Sequence, residues 1–341
     1  MKLSTALLKK RILQKWLLIL IIITCVGTVN LWADSSLTYS GYAEGYFAKH
    51  STITRSTKNP FSYIYSFPDN ERIDLNHALF QITYQSKTFY GNLGLQAGRY
   101  VDTNYAAEPS SVRPLYSASI GTHLSKQYRI EGGIFASHIG LESAIGKDNW
   151  TLTRSLLADN SPYYESGLKL SYIPNQQWTF TLLGVNGWQV ISDQDNKKAV
   201  GTQIQYQFSP SVLLNSSSYI SDTRYFHDCY AVIEVSDTFS WAPIIDIGVQ
   251  DDSVWGGISI LARYILTPTT RIAARIEYFT DPHDVVSAGK LSLMGASLNL
   301  DYDLATAAMW RNEVKALGDN LSFTTAISYS FSGSLIKEEN Q

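Results

Sequence analysis

Cysteine is nearly absent from this chain of 341 residues: there are two, and methionine numbers only three. Cys25 falls in an apolar N-terminal segment, so the remainder keeps Cys229 alone and forms no intramolecular disulfide. Charge is also scarce, at 17% of residues, yet the mean hydropathy of -0.10 is too polar for a chain of membrane helices. After residue 33 there is neither a second apolar run long enough for a helical span nor a long 3.6-residue periodicity. Positive charge is lacking too. Setting aside Lys2, Lys9, Lys10, Arg11 and Lys15 from the 27 basic residues leaves 22 against 30 acidic ones, a balance of -8. That excludes a nucleic-acid partner, whose phosphates require a basic surface.

What the chain does have is aromatic residues, 13% of the total, with Tyr at 22 and Trp at 8. This is a strand-and-interface composition. A β-barrel in a membrane reconciles it with the polar average, because each strand alternates apolar residues toward lipid with polar ones toward water. The basic segment through Lys15 leads into Trp16, Leu17, Leu18, Ile19, Leu20, Ile21, Ile22 and Ile23, then smaller residues to Ala33. This is the layout of a secretory signal over 1–33. An uncleaved anchor is the alternative, weakened by Gly27, Thr28 and Asn30 interrupting the run. Lipidation at Cys25 fits poorly with Thr24 before it.

Alternation dominates the rest. Ile272, Ala274, Ile276 and Tyr278 interleave with Arg271, Arg275 and Glu277. Three charges on one strand face suit neither a dry core nor lipid and imply a wet interior. Met294, Ala296, Leu298, Leu300 and Tyr302 oppose Ser297, Asn299 and Asp301 in the same way, and Phe323, Ile327, Tyr329 and Phe331 oppose Ser322, Thr324, Ser328 and Ser330. Strands are predicted at 37–48, 73–84, 88–99, 114–124, 128–137, 163–173, 177–188, 199–208, 211–221, 225–236, 239–249, 254–266, 269–280, 291–302, 305–316 and 321–332. The fold class is therefore all-β, a transmembrane antiparallel up-and-down barrel of about sixteen strands, with fourteen or eighteen as alternatives if strand ends shift. Short connections such as Ser209 to Pro210, Thr267 to Pro268 and Asp303 to Leu304 alternate with longer ones at 49–72, 100–113, 138–162 and 281–290. That is the turn-and-loop alternation of such barrels, with both termini on the short-turn side. Tyr84, Phe89, Tyr172, Trp178, Tyr206, Phe208, Trp241 and Tyr302 flank the short turns as an interfacial girdle. The expected organisation is a signal at 1–33, a barrel at 34–332 and a tail at 333–341.

Several runs carry a resemblance. Gly133-Ile-Phe-Ala-Ser-His-Ile-Gly-Leu-Glu-Ser-Ala, Asn149-Trp-Thr-Leu-Thr-Arg-Ser and Asn160-Ser-Pro-Tyr-Tyr-Glu-Ser-Gly-Leu-Lys-Leu are the central ones. Asn186-Gly-Trp-Gln, Arg224-Tyr-Phe-His, Ala273-Ala-Arg-Ile-Glu-Tyr-Phe and Leu298-Asn-Leu-Asp-Tyr extend them over nearly the whole chain after the leader. Together the sequence resembles the OmpL-like β-barrel porins of bacterial outer membranes. The resemblance implies an outer-membrane channel and leaves the solute unassigned. One departure is that ten residues follow Phe331, the position of the terminal aromatic of such barrels.

By alternation the pore-lining charges are Glu44, Arg129, Glu131, Glu165, Lys169, Asp246, Arg263, Arg271, Arg275, Glu277, Asp301, Arg311, Glu313 and Lys315. Rows of both signs can set a transverse field on polar solutes, or pair across strands and leave little net field. The loop carrying Glu142, Lys147, Asp148, Asn149, Trp150 and Arg154 either folds inward as a constriction or covers the barrel mouth from outside. The histidines are scattered without metal-ligand spacing, and phosphate-binding glycine loops are missing, so no cofactor or metal is expected. His138 and His227 are read as hydrogen-bonded structural residues at loop ends. The function expected is passive diffusion of small polar solutes or ions, with no enzymatic activity. Outer-membrane lipid, the barrel-assembly machinery and further copies of the chain are its expected partners. The alternatives are a barrel enzyme acting on lipid or peptide, a plugged structural or adhesive barrel and, weakest, a soluble β-sandwich.

Overall fold

The computed structural model describes residues 35–51, 64–287 and 290–336. The expected signal and residues 337–341 lie outside them. Sixteen strands follow one another: β1 (Ser35–His50), β2 (Ile73–Ser86), β3 (Phe89–Ala97), β4 (Leu115–His123), β5 (Tyr128–Ala136), β6 (Tyr164–Tyr172), β7 (Trp178–Val185) and β8 (Ala199–Ser209). Then come β9 (Val212–Ile220), β10 (Arg224–Glu234), β11 (Phe239–Gln250), β12 (Ser253–Thr267), β13 (Thr270–Asp281), β14 (Leu291–Ala305), β15 (Ala308–Leu317) and β16 (Asn320–Ile336). Each pairs antiparallel with its sequence neighbours, and β1 closes on β16 from Leu37↔Ile336 to His50↔Ser322. Closure satisfies every strand edge, the condition for sheet in a bilayer. The last strand runs past Ser332 because Gly333 and Ser334 still pair with Tyr39 and Thr38.

The alternation read from the sequence is the inside and outside of this wall. On β14, Met294 and Leu298 are 73% and 62% exposed while Asn299 and Asp301 are 1% and 5% exposed. Outward residues such as Leu168, Leu182, Ile204, Ile245 and Ile276 carry an exposed apolar belt around the barrel, larger than a soluble monomer leaves in water. At the short-turn rim the aromatics stack into a ladder: Tyr128 on Tyr172 at 4.6 Å, Tyr172 on Phe180 at 6.1 Å, Phe180 on Trp178 at 5.4 Å and Trp178 on Tyr206 at 4.1 Å between ring centroids. Register places these rings side by side, since Tyr128 faces Tyr172 and Trp178 faces Tyr206 across paired strands. No helix among the described residues is long and apolar enough to cross a membrane; the wall crosses with strands.

Two short helices occupy the long-loop side: α1 (Arg99–Asn104) after β3, and α2 (Leu156–Asp159) within the β5–β6 connection. A 3-10 turn at Gly146–Asp148 lies in the same connection.

Candidate functional site

The segment between β5 and β6 turns into the barrel. Its residues Thr151, Leu152, Arg154, Ser155 and Leu156 are completely buried, although they belong to a loop. The inner faces of β13, β14 and β15 hold it. Arg275 donates to Thr151 Oγ1 (2.6 Å) and to the Thr153 carbonyl (2.7 Å). Glu277 accepts from Leu156 N (2.5 Å), and Glu313 accepts from Thr153 N (2.5 Å) and Thr153 Oγ1 (2.9 Å). Asn299 Oδ1 accepts from Leu152 N (3.0 Å). Arg311 donates to the carbonyls of Gly146 (2.5 Å) and Asn149 (2.9 Å), and Lys315 donates to that of Arg154 (2.9 Å). A non-strand backbone at this depth has no neighbouring strand, so these side chains serve as its hydrogen-bond partners.

The same wall residues are paired with one another. Arg275 lies 3.2 Å from Glu277, 3.4 Å from Glu313 and 3.7 Å from Glu142, and Arg311 lies 2.7 Å from Asp301. Nearer the long loops the segment meets an apolar cluster in which Leu156 and Leu157 pack with Phe135, Val185, Trp255 and Phe279. Arg154, central in the sequence reading of the loop, points at neither wall's acids. It folds the loop on itself, donating to the carbonyls of Ser143 (3.0 Å), Ala144 (2.7 Å) and Leu152 (3.1 Å). Glu142, besides facing Arg275, accepts from Ser155 N (3.0 Å), and the Asn149 side-chain amide brackets Ser143 within the loop. Trp150 lies under the Arg263 guanidinium at 4.8 Å. Lys147 and Asp148, paired at 3.4 Å, remain half-exposed and line a cavity of about 590 Å³ on the short-turn side, beside Tyr42 and Gln81. Gly146 sits against β1: a Cβ there would meet Glu44 Oε2 at 2.4 Å.

The loop's first turn is fixed by His138. Its Nδ1 faces Glu165 Oε2 and its Nε2 faces the Ser218 carbonyl, both at 2.9 Å. A carboxylate and a carbonyl are both acceptors, so this setting favours the doubly protonated ring. Burial alone would lower its pKa, but the hydrogen bonds and the Glu165 charge overrule it and hold it above the ordinary histidine value. Gly201 leaves the space for the ring, since a Cβ there would lie 2.6 Å from His138 Cε1. Asp246 faces Asp228 directly across β10 and β11, and Asp228 Oδ1 accepts from Gly140 N (3.3 Å) at the same turn.

The remaining predicted charges stand nearer the short turns and do not touch the loop backbone. Glu131 pairs with Lys169 (2.9 Å), Arg271 takes Asp303 with two donors (2.9 and 2.5 Å), and Arg129 is exposed. Sequence reasoning missed Asp228, whose pairing with Asp246 follows from hairpin register, and it placed Asn299 on the polar strand face without giving it a role, since it lacks a charge. It also missed Glu108, which accepts from Ile191 N (2.6 Å) and Ser192 N (3.1 Å) to fasten the β7–β8 loop. No sequence signal links residues so far apart.

A closed sixteen-stranded barrel with an apolar outside, a charged inside and a long loop bound within it is the architecture of an outer-membrane porin. The family described as putative beta-barrel porin-2, OmpL-like, matches residues 36–333, and the chain belongs to it. Among solved structures, a triple mutant of the Rhodopseudomonas blastica porin is similar, with 11% identity and a TM-score of 0.59 over 87% of this chain and 100% of that one. A loop-deletion mutant of OmpT, an outer membrane protein of Vibrio cholerae, gives 10% identity and a TM-score of 0.57 over 87% and 99%. At these identities the likeness is one of fold. No curated protein matches the chain.

Proposed function

We propose that this porin is a passive, non-enzymatic channel exported by a signal over 1–33, and that segment 146–156 is the constriction through which small polar solutes or ions are selected. The supporting observation is the anchoring of that segment: its backbone hydrogen-bonds to Arg275, Glu277, Asn299, Arg311, Glu313 and Lys315 on one continuous wall. A loop so held keeps a fixed aperture instead of sweeping the lumen. Lys147 and Asp148, left half-exposed where the loop meets the short-turn cavity, and Arg129 beyond them are the charges a passing ion would meet. Both signs are present, so selectivity follows from their positions and not from net charge.

The test is single-channel conductance of the refolded 34–341 chain in a planar bilayer, compared with a variant lacking 143–158. A several-fold larger conductance on deletion is expected, and equal conductance in the two proteins would sink the constriction. Silence of the intact chain with conduction by the deletion variant would favour a barrel occluded at rest, a reading for which the apolar cluster around Leu156 and Leu157 speaks.

A further inference from the structure

Two cavities open at the long-loop mouth, of about 430 and 360 Å³, and both are lined by Trp188 and Arg224. Each is within the range of small-molecule sites. Arg224 stands at the start of β10 with its guanidinium over the Trp188 ring at 4.8 Å and the Trp255 ring at 5.5 Å. Its Nε donates to Gln250 Oε1 (2.8 Å), and it forms no ion pair among the described residues. Deeper down, Arg271, Arg275 and Arg311 each have a carboxylate, while Arg263 lies over the Trp150 ring. A cation stacked between two indoles, with its terminal donors uncommitted, is a prepared anion site, since the rings hold the planar fork without neutralising it.

The floor of the smaller cavity is of the opposite kind. Asp159 and Asn160, 4% and 5% exposed at the end of α2, line it, and Oδ1 of each lacks a hydrogen-bond partner. A buried acceptor without a donor costs free energy that an incoming hydroxyl recovers. Burial pushes the Asp159 carboxyl up to about 7, which diminishes its charge near neutrality. Thr103 and Asn104 of α1 and Tyr164 of β6 complete a polar and aromatic wall.

We propose that this mouth is an entry site for a polyhydroxy carboxylate, a sugar acid, with the carboxylate on Arg224 and the hydroxyls toward Asp159 and Asn160. A bare carboxylate would leave the floor acceptors unfilled, and a neutral polyol would leave the guanidinium unpaired. The site deepens the channel reading above and rests on it only in taking the long-loop side as the side of approach.

The experiment is binding to the folded barrel in detergent micelles, read by tryptophan fluorescence and calorimetry, with D-gluconate, sorbitol and acetate as probes. Gluconate is expected to bind saturably and at least tenfold more tightly than either of the others. Arg224→Gln should lose at least tenfold in gluconate affinity, and Arg224→Lys, which keeps the charge and loses the fork, should lose less. Folding of each variant is checked by heat-modifiable gel mobility. Equal binding of acetate and gluconate, or of wild type and R224Q, overturns the proposal; if R224Q fails to fold, the probe ranking on the wild type and R224K decides. Conductance plays no part in this readout: a silent barrel that binds gluconate keeps the site, and a conducting one that does not bind it loses the site alone.

Discussion

The two ends of this lumen handle buried charge differently. Near the short turns, pairs such as Lys169–Glu131 and Arg271–Asp303 join neighbouring parts of the wall and keep contact with water, with 25% and 20% of the Lys169 and Arg271 side chains exposed. Deeper toward the long loops, Arg275, Glu277 and Glu313 are wholly buried and spend their remaining hydrogen bonds on a loop backbone. The first arrangement tolerates the loss of a partner because water replaces it. The second does not, because a stranded charge there has neither water nor counter-ion. The difference marks which charges hold the loop and which face the solution.

The comparison breaks most visibly at Arg275. Arg275→Met leaves Glu142 and Glu313 without an ion pair and Glu277 with Lys315 alone, and the barrel should lose about 3–5 kcal/mol in urea unfolding, the cost of breaking a buried pair from one side. The loop should also come loose, seen as noisier and larger conductance steps. Adding Glu313→Gln should recover part of the stability, because one stranded charge then disappears; no recovery would mean that the arginine acts through packing.

Gly201 tests the same end from the opposite wall. Gly201→Leu drives a side chain into the space of the His138 ring and should cost about 1–3 kcal/mol as overpacking, together with a change in conductance from the displaced loop root. An unchanged unfolding midpoint and conductance would show that the His138 contact does not hold the loop.

The barrel itself was legible because lipid and water impose a period of two on every strand, and the sixteen predicted segments are the sixteen strands. The same parity put Glu44, Glu165, Asp246, Arg275, Glu277, Asp301, Arg311 and Glu313 on the polar face, and all eight are buried. Their partners did not follow, since the path of a loop is set by contacts between residues more than a hundred positions apart, as Thr153 is from Glu313. Arg154 shows the limit best: the sequence placed it in the candidate constriction loop without a partner, and its donors close the loop's own carbonyls. On β10, His227 hid the signal, because it faces outward and bonds the Ser218 hydroxyl at 2.8 Å, making polar residues appear on both faces beside Asp228.

A smaller effect comes from proton loss at His138. Its pKa is raised in the folded barrel, so the stability it contributes is fully present below the unfolded value near 6.5 and is lost as pH rises through the folded value. Conductance noise from the loop should therefore grow in the wild type as pH rises from about 6.5 through the raised folded value. In His138→Gln the noise should be present at every pH, and a pH response identical to wild type would assign the titration to another group.

The smallest effect belongs to the hydrated end. Lys169→Met removes the partner of Glu131, yet the pair is open enough that the loss should be about 1 kcal/mol or less in urea unfolding. The Lys169 ammonium also lies 4.4 Å over the Phe135 ring, and a methionine retains apolar contact there. What should change instead is selectivity: with one cation gone beside the exposed Arg129, the reversal potential in a salt gradient should move toward cation preference while the loop-bound conductance level stays. A loss of stability as large as that of Arg275→Met would erase the distinction between the two ends, and would place Glu131 among the buried charges that cannot stand alone.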